Sequence, residues 1–413
     1  MPPLSPAGKA SIEATSSRNL QGRCNLLRAI GNACWRERAG PDHHRGRWRP
    51  GSAAINITAS ARWKPNLSTL THDSALEALA YPFETGRLEW AEAGRTLFLG
   101  ARYGPSLAGR APGRFVQWFR PSFDLVQRGG WIAEQGSVER FPLVLLLPPR
   151  QREHARALYV HAVDRLAPEG QLVVAQPNSE GARSCQSDLE QLLGAVEVIS
   201  KRKCRVLLSV PESKTNPGVA AQWRDLDQPS RIGTSGLLSR PGVFAWDRVD
   251  TGSQLLSEHL PADLQGEAAD LGAGYGYLSV QLLQRCPGLR AVDLYEADQR
   301  ALDLARQNLA GIAGASALGF HWHDVCVGLP KNYDCIVSNP PFHGHSGEDR
   351  PDLGRTFLRQ AAIALRPGGR LLLVANRHLP YEATLAEGFS EIRQLVQAGG
   401  FKVIEAIRGG GGV

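Results

Sequence analysis

The sequence predicts an α/β protein made of two tandem halves, each a mainly parallel, doubly wound sheet. Two observations carry this. From residue 236 onward, short apolar strand segments alternate with amphipathic helical segments, the pattern of strand–helix–strand units. In the preceding half, three segments repeat segments of the second half in the same order. A chain of 413 residues is long enough for two domains, each burying its own core.

Residues 1–66 stand apart. "PDHHRGRWRPGSAA" is polar, rich in Gly and Pro, and has no apolar period. Residues 1–65 hold 11 Lys/Arg against 3 Asp/Glu, so the net charge of +7 belongs to this stretch rather than to the body. It is expected to be a disordered basic extension, or translation begun upstream of a natural start near Leu67. A basic arm for RNA phosphates is the competing reading. Residues 67–235 form the first half and residues 236–413 the second.

The second half reads in order. "EAADLGAG" is a strand entering a turn, and "YLSVQLLQRC" a helix. "LRAVDLYEA" is a strand. "DQRALDLARQNLAGI" is an amphipathic helix opened by Asp298. "HWHDVC" ends a third strand at Asp324, and "YDCIVSN" is a fourth. "RTFLRQAAIAL" is a helix, followed by an "RPGG" turn and the strand "RLLLVAN".

In the first half, "RTLFLGARYGPS" echoes "EAADLGAGYGYLS", "FPLVLLLPPR" echoes "YDCIVSNPPF", and "RLAPEGQLVVAQPN" echoes "ALRPGGRLLLVANRH". The echo keeps the fold-making residues and loses the polar ones. Phe98 stands for Asp270, Arg102 for Gly274, Leu147 for Asn339 and Arg150 for Phe342. The chemistry is therefore expected in the second half, and the first is expected to be a degenerate copy that binds or positions something.

"DLGAGYGYLS" places Gly272, Gly274 and Gly276 between a strand and a helix, where a backbone can turn tightly against a ligand. The spacing is not that of a dinucleotide fingerprint, and Asp270 at the strand end would repel a pyrophosphate. A ligand bearing a cation suits it, and S-adenosylmethionine (SAM) has both an ammonium and a sulfonium. Glu296, 20 residues after Gly276 at the next strand end, can accept both hydroxyls of a ribose. Asp324 can accept from an adenine amino group.

"NPPF" after an apolar strand is the more specific signal. An exocyclic amine on an aromatic ring is a poor nucleophile because its lone pair is delocalised. Two acceptors on its N–H bonds would aim that lone pair at a methyl group. Asn339 offers a side-chain carbonyl, and the Pro340 carbonyl, held by the Pro340–Pro341 pair, a second. Phe342 offers a face on which a base can stack. Orientation then supplies most of the catalysis, and no general base is required.

On "PGVFAWDRVDTGSQLL", "DLGAGYGYLS", "DCIVSNPPFH", "LLLVANRHLPYE" and "GGFKVIEAIR", the chain resembles the ribosomal RNA guanine-N2 methyltransferases of the RsmC/RlmG type. "ANRHLPYE" favours the small-subunit branch. The resemblance implies two tandem Rossmann-like methyltransferase domains, the first degenerate. It also implies methyl transfer from SAM to N2 of guanine 1207 in 16S ribosomal RNA, within the small ribosomal subunit. It places Asp250, Gly252 and Ser253 near the methionine end of SAM. Asp270, Gly272, Gly274 and Gly276 line the cofactor pocket, Glu296 takes the ribose and Asp324 the adenine. Asn339, Pro340, Pro341 and Phe342 hold the guanine, and Asn339 also borders the cofactor. His343 follows in the family's motif.

Two stretches of the first half could meet RNA phosphates. "GRAPGRFVQWFRPS" (109–122) interleaves Arg110, Arg114 and Arg120 with aromatics, and "KRKCR" (201–205) is a basic cluster. Guanine N2 of 23S ribosomal RNA, DNA adenine N6 and a protein glutamine are alternative acceptors, and an RNA-binding assembly factor is the non-enzymatic alternative. None of the seven cysteines forms a C-x-x-C pair, so neither a metal site nor a disulfide framework is expected. A cytoplasmic monomer, with no membrane partner, completes the expectation.

Overall fold

A computed structural model describes residues 72–312, 314, 316–341 and 351–410. The basic extension, Phe342 and His343 lie outside the described residues.

In the first half, β1 (Thr96–Leu99), β2 (Arg114–Val116), β3 (Ile132–Ala133), β4 (Phe141–Leu146), β5 (Leu166–Pro177), β6 (Val196–Lys201) and β7 (Cys204–Ser209) form one sheet. Their order is β3-β2-β1-β4-β5-β7-β6. All pairs are parallel except those made by β7, which runs antiparallel to both its neighbours. Helices α1 (Ser74–Glu84), α2 (Arg120–Arg128), α3 (Arg152–Asp164), α4 (Ala182–Leu193) and α5 (Pro217–Trp223) accompany it. A two-stranded ribbon, β8 (Ser230–Arg231) with β9 (Leu238–Ser239), follows.

The second half repeats the plan. Helix α6 (Thr251–Glu258) precedes β10 (Gln265–Leu271), α7 (Tyr277–Arg285), β11 (Gly288–Glu296), α8 (Gln299–Leu309), β12 (Ala317–Trp322) and β13 (Tyr333–Ser338). Then come α9 (Pro351–Ala364), β14 (Leu365–Asn376), α10 (Glu382–Ala386), β15 (Glu391–Ala398) and β16 (Phe401–Ile407). The order β12-β11-β10-β13-β14-β16-β15 is that of the first sheet. Strands β1 and β10, β4 and β13, and β5 and β14 are the three echoed pairs, and each pair occupies the same place in its sheet.

The central strands β1, β4 and β13 are buried almost throughout because helices cover both faces of the sheets. Along β13, Cys335 and Val337 join the core beneath α7 and α8, while Ile336 joins the core beneath α9. Asp298 opens α8 as expected, its Oδ1 accepting from the Arg300 N–H at 2.9 Å. The "RPGG" segment is not a turn preceding a strand. It lies inside β14, where the register with β13 shifts between Tyr333 and Cys335 and Gly368 takes a positive φ of 75°.

In the basic, aromatic stretch 109–122 the cations have partners within the protein. Phe115 is buried, Arg114 pairs with Glu134 and Glu139, and Arg110 lies over the Trp90 ring at 5.3 Å. Arg120 pairs with Asp124 and lies over the Trp322 ring of the second half at 5.0 Å. Arg110 and Arg114 are engaged within the first half, and Arg120 reaches the second. In the 201–205 cluster, Arg202 pairs with Glu77 and Lys201 sits over Tyr81. No helix among the described residues is long and apolar enough to cross a membrane.

Candidate active site

The chemistry-bearing residues gather at the C-terminal ends of β10, β11 and β13, the edge where open α/β sheets bind ligands. β10 delivers Asp270 at full burial. Its Oδ2 accepts from the Ser279 hydroxyl at 2.7 Å, while its Oδ1 has no hydrogen-bond partner. Burial pushes this carboxyl up to about 7, against which the Ser279 hydroxyl and N–H act.

The chain then turns through Gly272, Gly274 and Gly276 at φ of 74°, 56° and 89°. Two of these need glycine for different reasons. At Gly276 a Cβ would lie 2.9 Å from Leu309 Cδ1 and 3.1 Å from Ala305 Cβ, so the turn packs directly on α8. At Gly274 a Cβ would meet nothing within 4 Å, so that backbone faces open space. The turn is fastened by Asn308, whose Nδ2 donates to the Tyr275 and Leu238 carbonyls at 2.9 Å each. Asn308 escaped sequence reading. Its signal was an amide on the otherwise apolar stripe of Leu304, Ala305 and Leu309.

Glu296 is the last residue of β11. Its Oε2 accepts from the Gly274 N–H at 2.8 Å and its Oε1 from the Asp298 N–H at 2.7 Å. Burial pushes this carboxyl up to about 7 as well. Asp324 lies two residues past the end of β12 rather than at it. It caps a 3-10 turn over Val325–Val327, accepting from the Cys326 N–H at 2.9 Å.

β13 delivers Asn339, with Ser338 bonded to the Leu271 carbonyl at 2.7 Å. The Asn339 Nδ2 donates to Asp250 Oδ2 at 2.8 Å and to Ser253 Oγ at 2.9 Å. A carboxylate only accepts, so the NH₂ end must face Asp250 and the carbonyl end must face away. Asp250 is itself the N-cap of α6, accepting from the Ser253 N–H at 2.8 Å. Gly252 lets that helix start pass the Phe401 ring, which a Cβ would approach to 3.0 Å. Sequence reading placed Asp250, Gly252 and Ser253 with the cofactor; the structure also joins Asp250 and Ser253 to Asn339. Pro340 is buried behind Asn339 and Pro341 is half-buried.

The first half has the same scaffold without the opening. Phe98 and Leu147 are buried where Asp270 and Asn339 stand. A Cβ on Gly100 would come within 2.4 Å of the Leu147 carbonyl, whereas one on Gly272 would stay 4.0 Å from that of Asn339. The counterpart of the Asp250 cap is Asp73, which caps α1 and is engaged by Arg102 at 3.0 Å.

The second-half site fits SAM. A buried carboxylate oxygen lacks a partner, an open glycine lies beside it, and a second carboxylate waits at the next strand end. Among the described residues no cluster of His, Cys, Asp or Glu could hold a metal ion.

Comparison with known proteins agrees. Residues 234–405 match the family model described as the methyltransferase small domain. The ribosomal RNA small subunit methyltransferase C of Shewanella pealeana is 31% identical over 274 residues, covering 65% of this chain and 78% of that protein. The ribosomal RNA large subunit methyltransferase G of Alcanivorax borkumensis is 36% identical over 184 residues, covering 43% and 46%. Among solved structures, the T. thermophilus 16S rRNA N2 G1207 methyltransferase RsmC, in complex with AdoMet and guanosine, is 26% identical. It superposes with a TM-score of 0.66 over 82% of this chain and 92% of its own. With these relatives and the fold shared with that structure, the chain belongs to the RsmC-type family of SAM-dependent ribosomal RNA methyltransferases.

Proposed function

We propose that this protein transfers a methyl group from SAM to the exocyclic N2 of guanine 1207 in 16S ribosomal RNA. The observation that carries this reading is the pinned amide of Asn339. With its NH₂ held by Asp250 and Ser253, its carbonyl is turned out as an acceptor. An amine bound there donates one N–H to Asn339 Oδ1 and the other to the Pro340 carbonyl. Its nitrogen lone pair then points out of the ring plane. Phe342 supplies the stacking face. When bound, SAM supplies a methyl group on a sulfonium sulfur. The N–C bond forms as the S–C bond breaks, and the amine proton leaves to solvent afterwards.

The remaining residues hold the cofactor in this reading. Asp250, Gly252 and Ser253 lie at its methionine end, and Asp270, Gly272, Gly274 and Gly276 line its pocket. Glu296 accepts from the ribose hydroxyls and Asp324 from the adenine amino group. We assign catalysis to residues 236–413 and RNA positioning to residues 67–235. The enzyme works as a cytoplasmic monomer on RNA of the small subunit.

The test is transfer of label from SAM to isolated small subunits, large subunits, DNA and protein extract, with the product mapped. Label on N2 of guanine in small subunits alone is the expected result. Label elsewhere, or none, would overturn the proposal.

A further inference from the structure

The loop that carries Glu296 is held from outside the catalytic half. The Arg120 N–H donates to the Ala297 carbonyl at 2.8 Å, and the Gln299 N–H to the Trp118 carbonyl at 2.9 Å. Between them, Phe119 and Asp298 form an antiparallel bridge. The Trp322 indole N–H, at the end of β12, donates to both the Trp118 and Ala297 carbonyls, at 3.0 and 2.8 Å. Three residues of the first half thus pair with the three residues that follow Glu296.

A second joint lies beside this clasp. Arg300 bonds Asp298 through two nitrogens, at 3.1 and 2.6 Å, and its Nη1 reaches His154 of α3 at 2.9 Å. Its Nη2 donates to the Gly242 carbonyl at 3.3 Å, and its Cζ lies over the Trp118 ring, 4.4 Å from the centroid. His154 is buried, and burial with Arg300 and Arg240 nearby holds its pKa well below the usual value. It is therefore a neutral ring able to accept from Arg300. Gly242 is shaped to this joint: at φ of 90°, a Cβ there would lie 2.6 Å from His154 Nδ1.

We propose that the first half sets cofactor affinity: the 118–120 clasp and the His154–Arg300 joint hold Glu296 in the orientation that accepts the ribose hydroxyls. The inference rests on the ribose role of Glu296 given above. A clamp of this kind must be held to within about half an ångström by residues that are themselves locked. The Glu296 carboxylate accepts from Gly274 and Asp298 of its own half, and its position depends on Asp298, which Arg300 and Phe119 hold. Arg300 and His154 are positioning residues, acting through that chain.

The experiment uses the full chain, with SAM dissociation constants from calorimetry and steady-state constants for small-subunit RNA. Arg300→Met and Gly242→Ala are expected to weaken SAM binding by about tenfold or more. The KM for RNA, and kcat at saturating SAM, should stay within about twofold. Arg300→Lys keeps the charge but not the fork, and should fall between. Leu192→Ala, in the first-half core, is the control for general destabilisation. It should lower Tm without changing SAM affinity. Unchanged SAM affinity in Arg300→Met and Gly242→Ala would overturn the inference, as would an equal loss in Leu192→Ala or a rise confined to the KM for RNA. Glu296→Gln separates the two readings. If it weakens SAM while the joint variants do not, only the joint's role falls. If it leaves SAM affinity unchanged, the ribose assignment fails and the inference with it.

Discussion

Asn339 and Asp250, 89 residues apart in sequence, are joined by a 2.8 Å hydrogen bond from the amide to the carboxylate. That bond decides which end of the amide faces the reaction. An unconstrained asparagine could present either its donor or its acceptor to an incoming amine, and only the acceptor can orient an N–H.

Removing the amide should therefore remove catalysis without removing cofactor. Asn339→Ala is expected to lower kcat by roughly 10²–10³-fold, the usual size for losing a preorganised partner of the reacting group. The SAM dissociation constant should change little. Single-turnover transfer of label together with calorimetry checks both halves. A parallel loss of SAM binding would refute the role given to Asn339.

The Asp250 carboxylate can be tested apart from its capping role. Asn is as good an N-cap as Asp, so Asp250→Asn should keep α6 intact. It should nevertheless loosen the orientation of Asn339 and lower kcat about tenfold, the size of one charge-assisted hydrogen bond. Asp250→Ala should add a stability loss of about 1 kcal/mol from the missing cap. Thermal melts and kcat measured on the two variants distinguish the contributions.

The two buried carboxyls predict opposite pH trends for stability and for binding. Asp270 and Glu296 are both raised to about 7, so the folded protein holds their protons more tightly than the unfolded chain does. Their contribution to stability is fully present below about pH 4 and is lost as pH rises through about 7. Both must be ionised to meet an ammonium group and two ribose hydroxyls. SAM affinity should therefore rise by roughly tenfold or more between pH 6 and pH 8. The Tm gain on adding SAM should grow over the same range. Calorimetry and melts at pH 6, 7 and 8 test this, and a flat affinity profile would count against both assignments.

The glycine turn should separate stability from binding. Gly276→Val forces a side chain into α8 at a positive φ and should cost about 2–4 kcal/mol. Gly274→Ala meets no atom within 4 Å and should cost only about 1 kcal/mol of stability. Its methyl projects into the open side of the turn, so SAM binding should suffer more than folding. Denaturant melts alongside SAM titrations give the two orderings.

Much of this was readable because it is local or periodic. The apolar run of β13, the helical stripe of α8 with its Asp298 cap, and the glycines after β10 depend on near neighbours along the chain. The duplication was readable because matching strands kept matching turns. The RPGG segment was misread because a Pro-Gly pair signals a turn equally well at a bulge inside a strand, and only pairing with β13 distinguishes them. The partners of the 109–122 arginines were not readable because arginines among aromatics look alike whether they meet phosphates, stack within one half as Arg110 does, or stack across the halves as Arg120 does.

By itself, then, the sequence determined two similar α/β halves, one with polar strand ends and one without, and the candidate residues at those ends. Backbone propensity and apolar period act over a few residues, so they can be read directly. Only the tertiary structure decided which way the Asn339 amide points, which contacts stack Arg300 on Trp118, and that Trp118–Arg120 clasp the loop behind Glu296. These are contacts between segments far apart along the chain, such as Trp118 and Trp322, 204 residues apart. Hydrogen-bond direction and burial exist there only once the sheets have brought the partners together.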